Sequence, residues 1–150
     1  MKKFIRQNAT KTPAADIAID FGAASEQVAR VFEPEVYPLQ VKTASVLQSR
    51  HNGNVFVVFD LVELESGVRV SLQPLWVAGP NAEGSSLVAE NHDVIAQMLR
   101  QAGLETSGSV GELIPKLAGR EFGARLAIYP DSRTGRTFNS IVAIIPEDAA

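Results

Sequence analysis

The stretch VYPLQVKTASVLQSRHNGNVFVVFDLVELESGVRVSLQPLWV, residues 36–77, decides the fold. Over residues 36–48, Tyr37, Leu39 and Val41 alternate with Gln40 and Lys42, the period of a half-buried strand. Pro38 falls near its start, where a missing donor is tolerated. Arg50-His51-Asn52-Gly53-Asn54 reads as a turn, because Asn-Gly readily takes positive φ. Residues 55–65 are β-branched and aromatic, a strand that begins apolar on both faces and ends alternating. Phe56 and Phe59 fall on opposite faces, which leaves one for a core and the other to stack or to pack under an N-terminal segment. Ser66-Gly67 makes a second turn, and over 68–77 Val68, Val70 and Leu72 oppose Arg69, Ser71 and Gln73. A three-stranded meander over 36–77 follows.

Downstream, Gly79-Pro80-Asn81 breaks the pattern. Residues 91–103 read as a helix with Val94, Ile95, Met98, Leu99 and Ala102 on one side. Asn91 is placed to cap it, Asp93 to favour its first turn, and Gly103-Leu104 to close it in a left-handed cap. Ser109 and Glu112 have capping-box spacing before a second, short helix that Pro115 and Gly119 limit. Residues 121–129 alternate as a fourth strand, Pro130–Arg136 is a polar turn, and 137–145 form a fifth strand ended by Pro146. Upstream, residues 1–15 read as a flexible basic arm bearing Lys2, Lys3, Arg6 and Lys11. Residues 16–35 read as an extension: Ile17, Ile19 and Phe21 alternate, and Ser25 is placed to cap a short helix through Phe32. The organisation expected is arm 1–15, extension 16–35, domain 36–146 and a short tail 147–150.

Composition bounds the function. The 150 residues are 45% hydrophobic and 21% charged, a globular balance. Cysteine is absent, which removes disulfide frameworks, thiolate metal sites and cysteine nucleophiles. The two histidines, His51 and His92, are far apart, and Asp60 and Glu63 project to opposite faces of a strand, so no metal centre is expected. No nucleophile elbow, phosphate loop or histidine metal motif occurs, and neither an enzyme nor a cofactor is expected. No apolar run is long enough to span a membrane and the start lacks a secretory h-region, so a soluble, cytoplasmic domain is expected. The net charge is −3 and the pI about 5.4, which does not by itself favour nucleic acid.

Three strands, a helix and two strands make a mainly β fold with α, the order of a five-stranded OB-like Greek-key barrel with an N-terminal extension. A five-stranded sandwich or an unrelated α+β sheet gives the same order. In the OB arrangement a ligand lies on the face of strands 2 and 3, between the loops joining strands 1 to 2 and 4 to 5. Those loops are Ser49–Asn54 and Pro130–Arg136, and they carry Arg50, Arg133 and Arg136 with Gly53 and Gly135. Lys42, Arg69 and Arg125 add cations, and Tyr129, Phe56 and Trp76 are flat side chains. Cations along a track and aromatic stacking platforms are what single-stranded nucleic acid needs. Trp76 between Leu75 and Val77 also reads as a core residue, and the arginines as solvated turn residues.

The sequence resembles a family through Glu33-Pro34-Glu35-Val36-Tyr37-Pro38-Leu39-Gln40-Val41, Leu99-Arg100-Gln101-Ala102-Gly103-Leu104, Leu117-Ala118-Gly119-Arg120-Glu121-Phe122 and Gly135-Arg136-Thr137-Phe138-Asn139-Ser140-Ile141 with Ile145-Pro146. It is similar over residues 33–146 to small phage and integrative-element proteins, OB-fold single-stranded-DNA-binding or recombination-associated proteins. It departs from them in having Val36, where a glycine often precedes the aromatic. Its Glu147-Asp148-Ala149-Ala150 end is also much shorter than the acidic tail of bacterial single-strand binders. The resemblance implies binding of single-stranded DNA in replication or recombination. The competing expectation is a protein-interaction or assembly module on the same barrel, self-associating as a dimer or higher oligomer through an exposed strand such as 55–62. A saccharide or other small ligand is a third.

Overall fold

The computed structural model describes residues 28–146. The arm 1–15, the alternation at Ile17, Ile19 and Phe21, the Ser25 cap and the tail 147–150 lie outside the described residues.

The elements are β1 (Val36–Gln48), β2 (Val55–Glu63), β3 (Leu75–Ala78), α1 (Ser86–Gln101), α2 (Val110–Leu113) running into a 3-10 turn (Ile114–Leu117), β4 (Glu121–Pro130) and β5 (Thr137–Ile145). They form one five-stranded sheet in the order β3-β2-β1-β4-β5, with every neighbouring pair antiparallel. β1 is long enough to serve two partners: Val36–Gln40 pair with β4 and Leu39–Gln48 with β2. Alternation buries Leu39, Val41, Val57, Phe59, Leu61, Phe122, Ala124, Leu126, Ile141 and Ile144 on one face. Val94, Ile95, Met98 and Leu99 of α1 and Ile114 and Leu117 of the 3-10 turn close the core over them. β2 has a partner on each side, so the expected self-pairing edge at 55–62 does not exist; the sheet edges are β3 and β5.

The third strand differs most from expectation. Only Leu75–Ala78 pair regularly, and residues 68–73 are extended but irregular. Arg69 bridges Val62, Val70 pairs in parallel with Arg30, and Leu72 pairs in parallel with Asn139 of β5. Pro74 has no N–H for a ladder, and the chain leaves β2 just before it to reach β5. There Asn139 N–H donates to Ser71 O (2.7 Å) and Gln73 N–H to Asn139 O (3.0 Å). Residues 28–32 are likewise not helical. Arg30 N–H donates to Arg69 O (2.9 Å), Ser71 N–H to Arg30 O (2.8 Å), and the Phe32 ring meets Tyr37 edge to face at 5.1 Å.

α1 begins earlier than its apolar pattern indicates. Ser85 is its cap, its hydroxyl accepting from Val88 N–H at 3.2 Å. Asn91 and Asp93 therefore lie in the second turn, and Asn91 spends its side chain on a neighbouring strand. The end of the helix is as expected: Gly103 has φ +73° and Leu104 N–H reaches back to Leu99 O (2.9 Å). Ser109 caps α2 by position only; it makes no side-chain cap bond, so the capping box is not formed.

A buried carboxylate closes the turn after β2. Glu63 is 3% exposed. It accepts from Glu65 N–H (2.8 Å), Ser66 N–H (2.9 Å) and the Ser66 hydroxyl (2.6 Å). Burial pushes its pKa up, but these hydrogen bonds outweigh burial and hold the carboxyl below its ordinary 4.5. A carboxyl lowered in the folded state stabilises above its ordinary pKa, and that contribution is lost as pH falls through the folded value. Glu63→Gln should cost about 1–2 kcal/mol at neutral pH. It should also flatten the fall in stability from about pH 6 to pH 3. Urea denaturation across that range checks this; equal slopes in the two proteins would remove Glu63 from the acid response.

Candidate nucleic-acid interface

Three side chains of α1 satisfy carbonyls of the two edge strands. Asn91 Nδ2 donates to Trp76 O at 3.0 Å and Gln101 Nε2 to Ile145 O at 2.9 Å. His92 Nε2 lies 2.6 Å from Val77 O; a carbonyl only accepts, so this nitrogen carries the proton. The helix thus spans from β3 to β5. Between it and the Leu72–Asn139 bridge the two edges stand apart and leave a cleft of about 690 Å³.

Phe56, Trp76 and Tyr129 all line this cleft. Phe56 and Trp76 are cross-strand partners. Leu75 and Val77 point into the core at 5% and 6% exposure, so alternation turns Trp76 outward, against the expectation of a core residue. Its Nε1 donates to Ala78 O (3.0 Å), which fixes the indole. Phe59 is the core member of the phenylalanine pair and Phe56 the cleft member, as their spacing requires. Tyr129 is 42% exposed, and the exposed Leu87 and Val142 add apolar rim. The floor includes Ile141. Asn139 turns its main chain toward residues 71 and 73, so alternation turns the main chain of Ile141 the same way.

The arginines lie around the cleft, and none of them lines it. Arg50 is exposed in the Ser49–Asn54 turn, whose last residue, Asn54, reaches the cleft. That turn is held to the chain after β3. Gly79 has φ +135°, and a Cβ there would lie 2.7 Å from Asn54 Cα. Arg133 and Arg136 sit in the β4–β5 turn, closed by Asp131 N–H to Arg136 O (2.8 Å) and by Arg133 N–H to Asp131 Oδ1 (3.0 Å). The Arg136 guanidinium lies 5.6 Å over the ring of Phe138, the cross-strand partner of Tyr129. Two arginine-bearing turns therefore flank the aromatic cleft.

The remaining cations do not join this group. Arg69 is paired with Asp60 at 3.0 Å. Arg125 is exposed four residues before Tyr129, about 13 Å away along β4. Lys42 is exposed at the irregularity between Val41 and Thr43. His51 is an exposed turn residue.

Sequence reasoning missed the opposite wall. Leu87, Glu90, Asn91, Asp93 and Val94 of α1 face the aromatic side chains across the cleft. Glu90 and Asp93 give this wall negative charge, and Gln97 Nε2 holds Asp93 Oδ2 at 2.9 Å. On the sequence Asp93 reads as a first-turn residue of the helix, and Glu90 falls outside the helix expected over 91–103. Among the described residues no group of three or more histidine, aspartate or glutamate side chains is arranged to hold a metal, and no helix is long and apolar enough to cross a membrane. No family model matches the chain, and no curated protein matches it.

Proposed function

We propose that the chain is a single-stranded-DNA-binding protein on an OB-type Greek-key barrel, as the resemblance to phage and integrative-element proteins implies. The observation that carries this reading is the convergence of Phe56, Trp76 and Tyr129 on one cleft between two arginine-bearing turns. The strand order and the parallel Leu72–Asn139 bridge between the two sheet edges support the OB reading. Bases stack on the aromatic side chains, and Arg50, Arg133 and Arg136 take the phosphates. Arg125 and Lys42 stand apart from this group, and Arg69 contributes less because Asp60 already pairs with it.

Anisotropy of a labelled oligothymidine, with a duplex control, tests this. Binding should be confined to the single strand and weaken steeply with salt. Arg133→Ala with Arg136→Ala should weaken binding to all sequences alike and reduce the log–log salt slope by about 1.4, near 0.7 per phosphate contact. An unchanged affinity and slope would place the phosphates elsewhere.

The α1 wall favours a second reading, a protein-interaction module that accepts a basic segment, because Glu90 and Asp93 put carboxylates on the cleft where no lysine or arginine does. Light scattering after size exclusion, with and without oligonucleotide, separates the two readings.

A further inference from the structure

We propose that the α1 wall makes the cleft selective for guanine among single-stranded bases, with Glu90 as the reading group. The inference rests on the single-strand reading. A base stacked on Trp76 or Phe56 fills the cleft from the sheet side, and its edge then meets the helix wall, which carries Glu90 and Asp93. Asp93 is partly engaged through its Oδ2 by Gln97. The Glu90 side chain is exposed and makes no hydrogen bond among the described residues, so both of its oxygens are available to a ligand.

A carboxylate only accepts hydrogen bonds. Guanine is the one base with two adjacent donors on its Watson–Crick edge, N1–H and the 2-amino group, and it matches two carboxylate oxygens side by side. Adenine and cytosine each offer one amino group beside a ring acceptor. Thymine offers one N–H flanked by two carbonyl oxygens, which a carboxylate repels. The same charge orients the strand: phosphates are repelled from α1 and drawn to the arginine turns, so the bases point inward. Stacking still accepts every base, and the wall adds a preference on top of it.

The test uses the full chain and thymidine 12-mers that carry one central guanine, inosine, adenine, cytosine or thymine. Binding is read by anisotropy and by quenching of Trp76, the single tryptophan of the chain. The guanine strand should bind about 10-fold tighter than the all-thymine strand, the size of one bidentate base contact. Inosine, which lacks the 2-amino group, should fall between them. Glu90→Gln should raise affinity for the all-thymine strand, because a repulsive charge is gone, and should remove the margin for guanine. Equal salt-sensitive binding of all five strands overturns the guanine preference and leaves the single-strand reading standing. Failure of every strand to bind overturns both. Quenching of Trp76 by a lysine-rich peptide, without binding of any strand, assigns the wall to a basic protein segment instead.

Discussion

Asn139→Leu should lower the unfolding free energy by about 4 kcal/mol, a large share of a domain of ordinary stability. Asn139 is fully buried in β5. Its Oδ1 accepts from Phe32 N–H at 2.7 Å, and its Nδ2 donates to Phe32 O at 2.8 Å and to Ala127 O at 3.2 Å. One amide side chain thus serves both main-chain groups of Phe32, as a neighbouring strand would, and ties residues 28–35 to the sheet. Leucine has the same branched heavy-atom skeleton and is larger, so no cavity opens. The cost comes from the partners: Phe32 N–H, Phe32 O and Ala127 O lose a hydrogen bond, at about 1–3 kcal/mol for each buried group. Phe32 is half-buried, so water recovers part of its share and the sum stays near the low end.

Urea denaturation measures the effect. An unchanged m-value is expected, because the same surface is exposed on unfolding. A loss below about 1 kcal/mol would mean that the Phe32 segment lifts away and is hydrated at little cost. Asn139→Asp separates the two contributions. It keeps the acceptor for Phe32 N–H but loses the donor and buries a charge, so it should be at least as destabilising as leucine.

Much of the sheet was legible because β periodicity needs only the order of side chains. β1 and β5 begin and end where their alternation does, and Gly103 closes α1 with the left-handed conformation that its place after the apolar stripe requires. The third strand was not legible beyond its pattern. Val68, Val70 and Leu72 alternate as a strand would, yet Leu72 N–H turns back to Val70 O and the chain crosses to β5. Alternation records which side chains are buried and not which strand buries them. The start of α1 was hidden because residues 86–90 carry only Leu87 and Val88 as large apolar side chains, too few to extend the stripe.

At the site, residue type was more legible than partnership. Trp76 could have been placed outward from Leu75 and Val77 alone, since two inward neighbours leave the residue between them facing out. The pairing of Arg69 with Asp60 depends on a diagonal contact across a hairpin whose register shifts, which spacing does not reveal. The carboxylate wall depends on where α1 packs, and that is set by the bonds of Asn91 and Gln101 to the strand edges.

Trp76→Ala should weaken binding of a thymidine oligonucleotide by about 10-fold or more, because stacking of one base on an aromatic ring is worth about 1–3 kcal/mol. Phe56→Ala should have a similar effect. The double variant should lose less than the product of the two, because the rings are cross-strand partners and serve neighbouring or shared bases. The salt slope should be unchanged in all three proteins, since no phosphate contact is removed. That distinguishes the aromatic group from the arginine turns, where affinity and slope should fall together. Trp76 is half-buried and its Nε1 bonds Ala78 O, so truncation also disturbs β3. Trp76→Phe controls for this: it keeps an aromatic stacking face, smaller by one ring, and loses that hydrogen bond. If Trp76→Phe retains most of the affinity while Trp76→Ala does not, the ring face carries the binding. If the two variants lose affinity equally, what matters at Trp76 is the order it imposes on β3, and the stacking surface lies elsewhere.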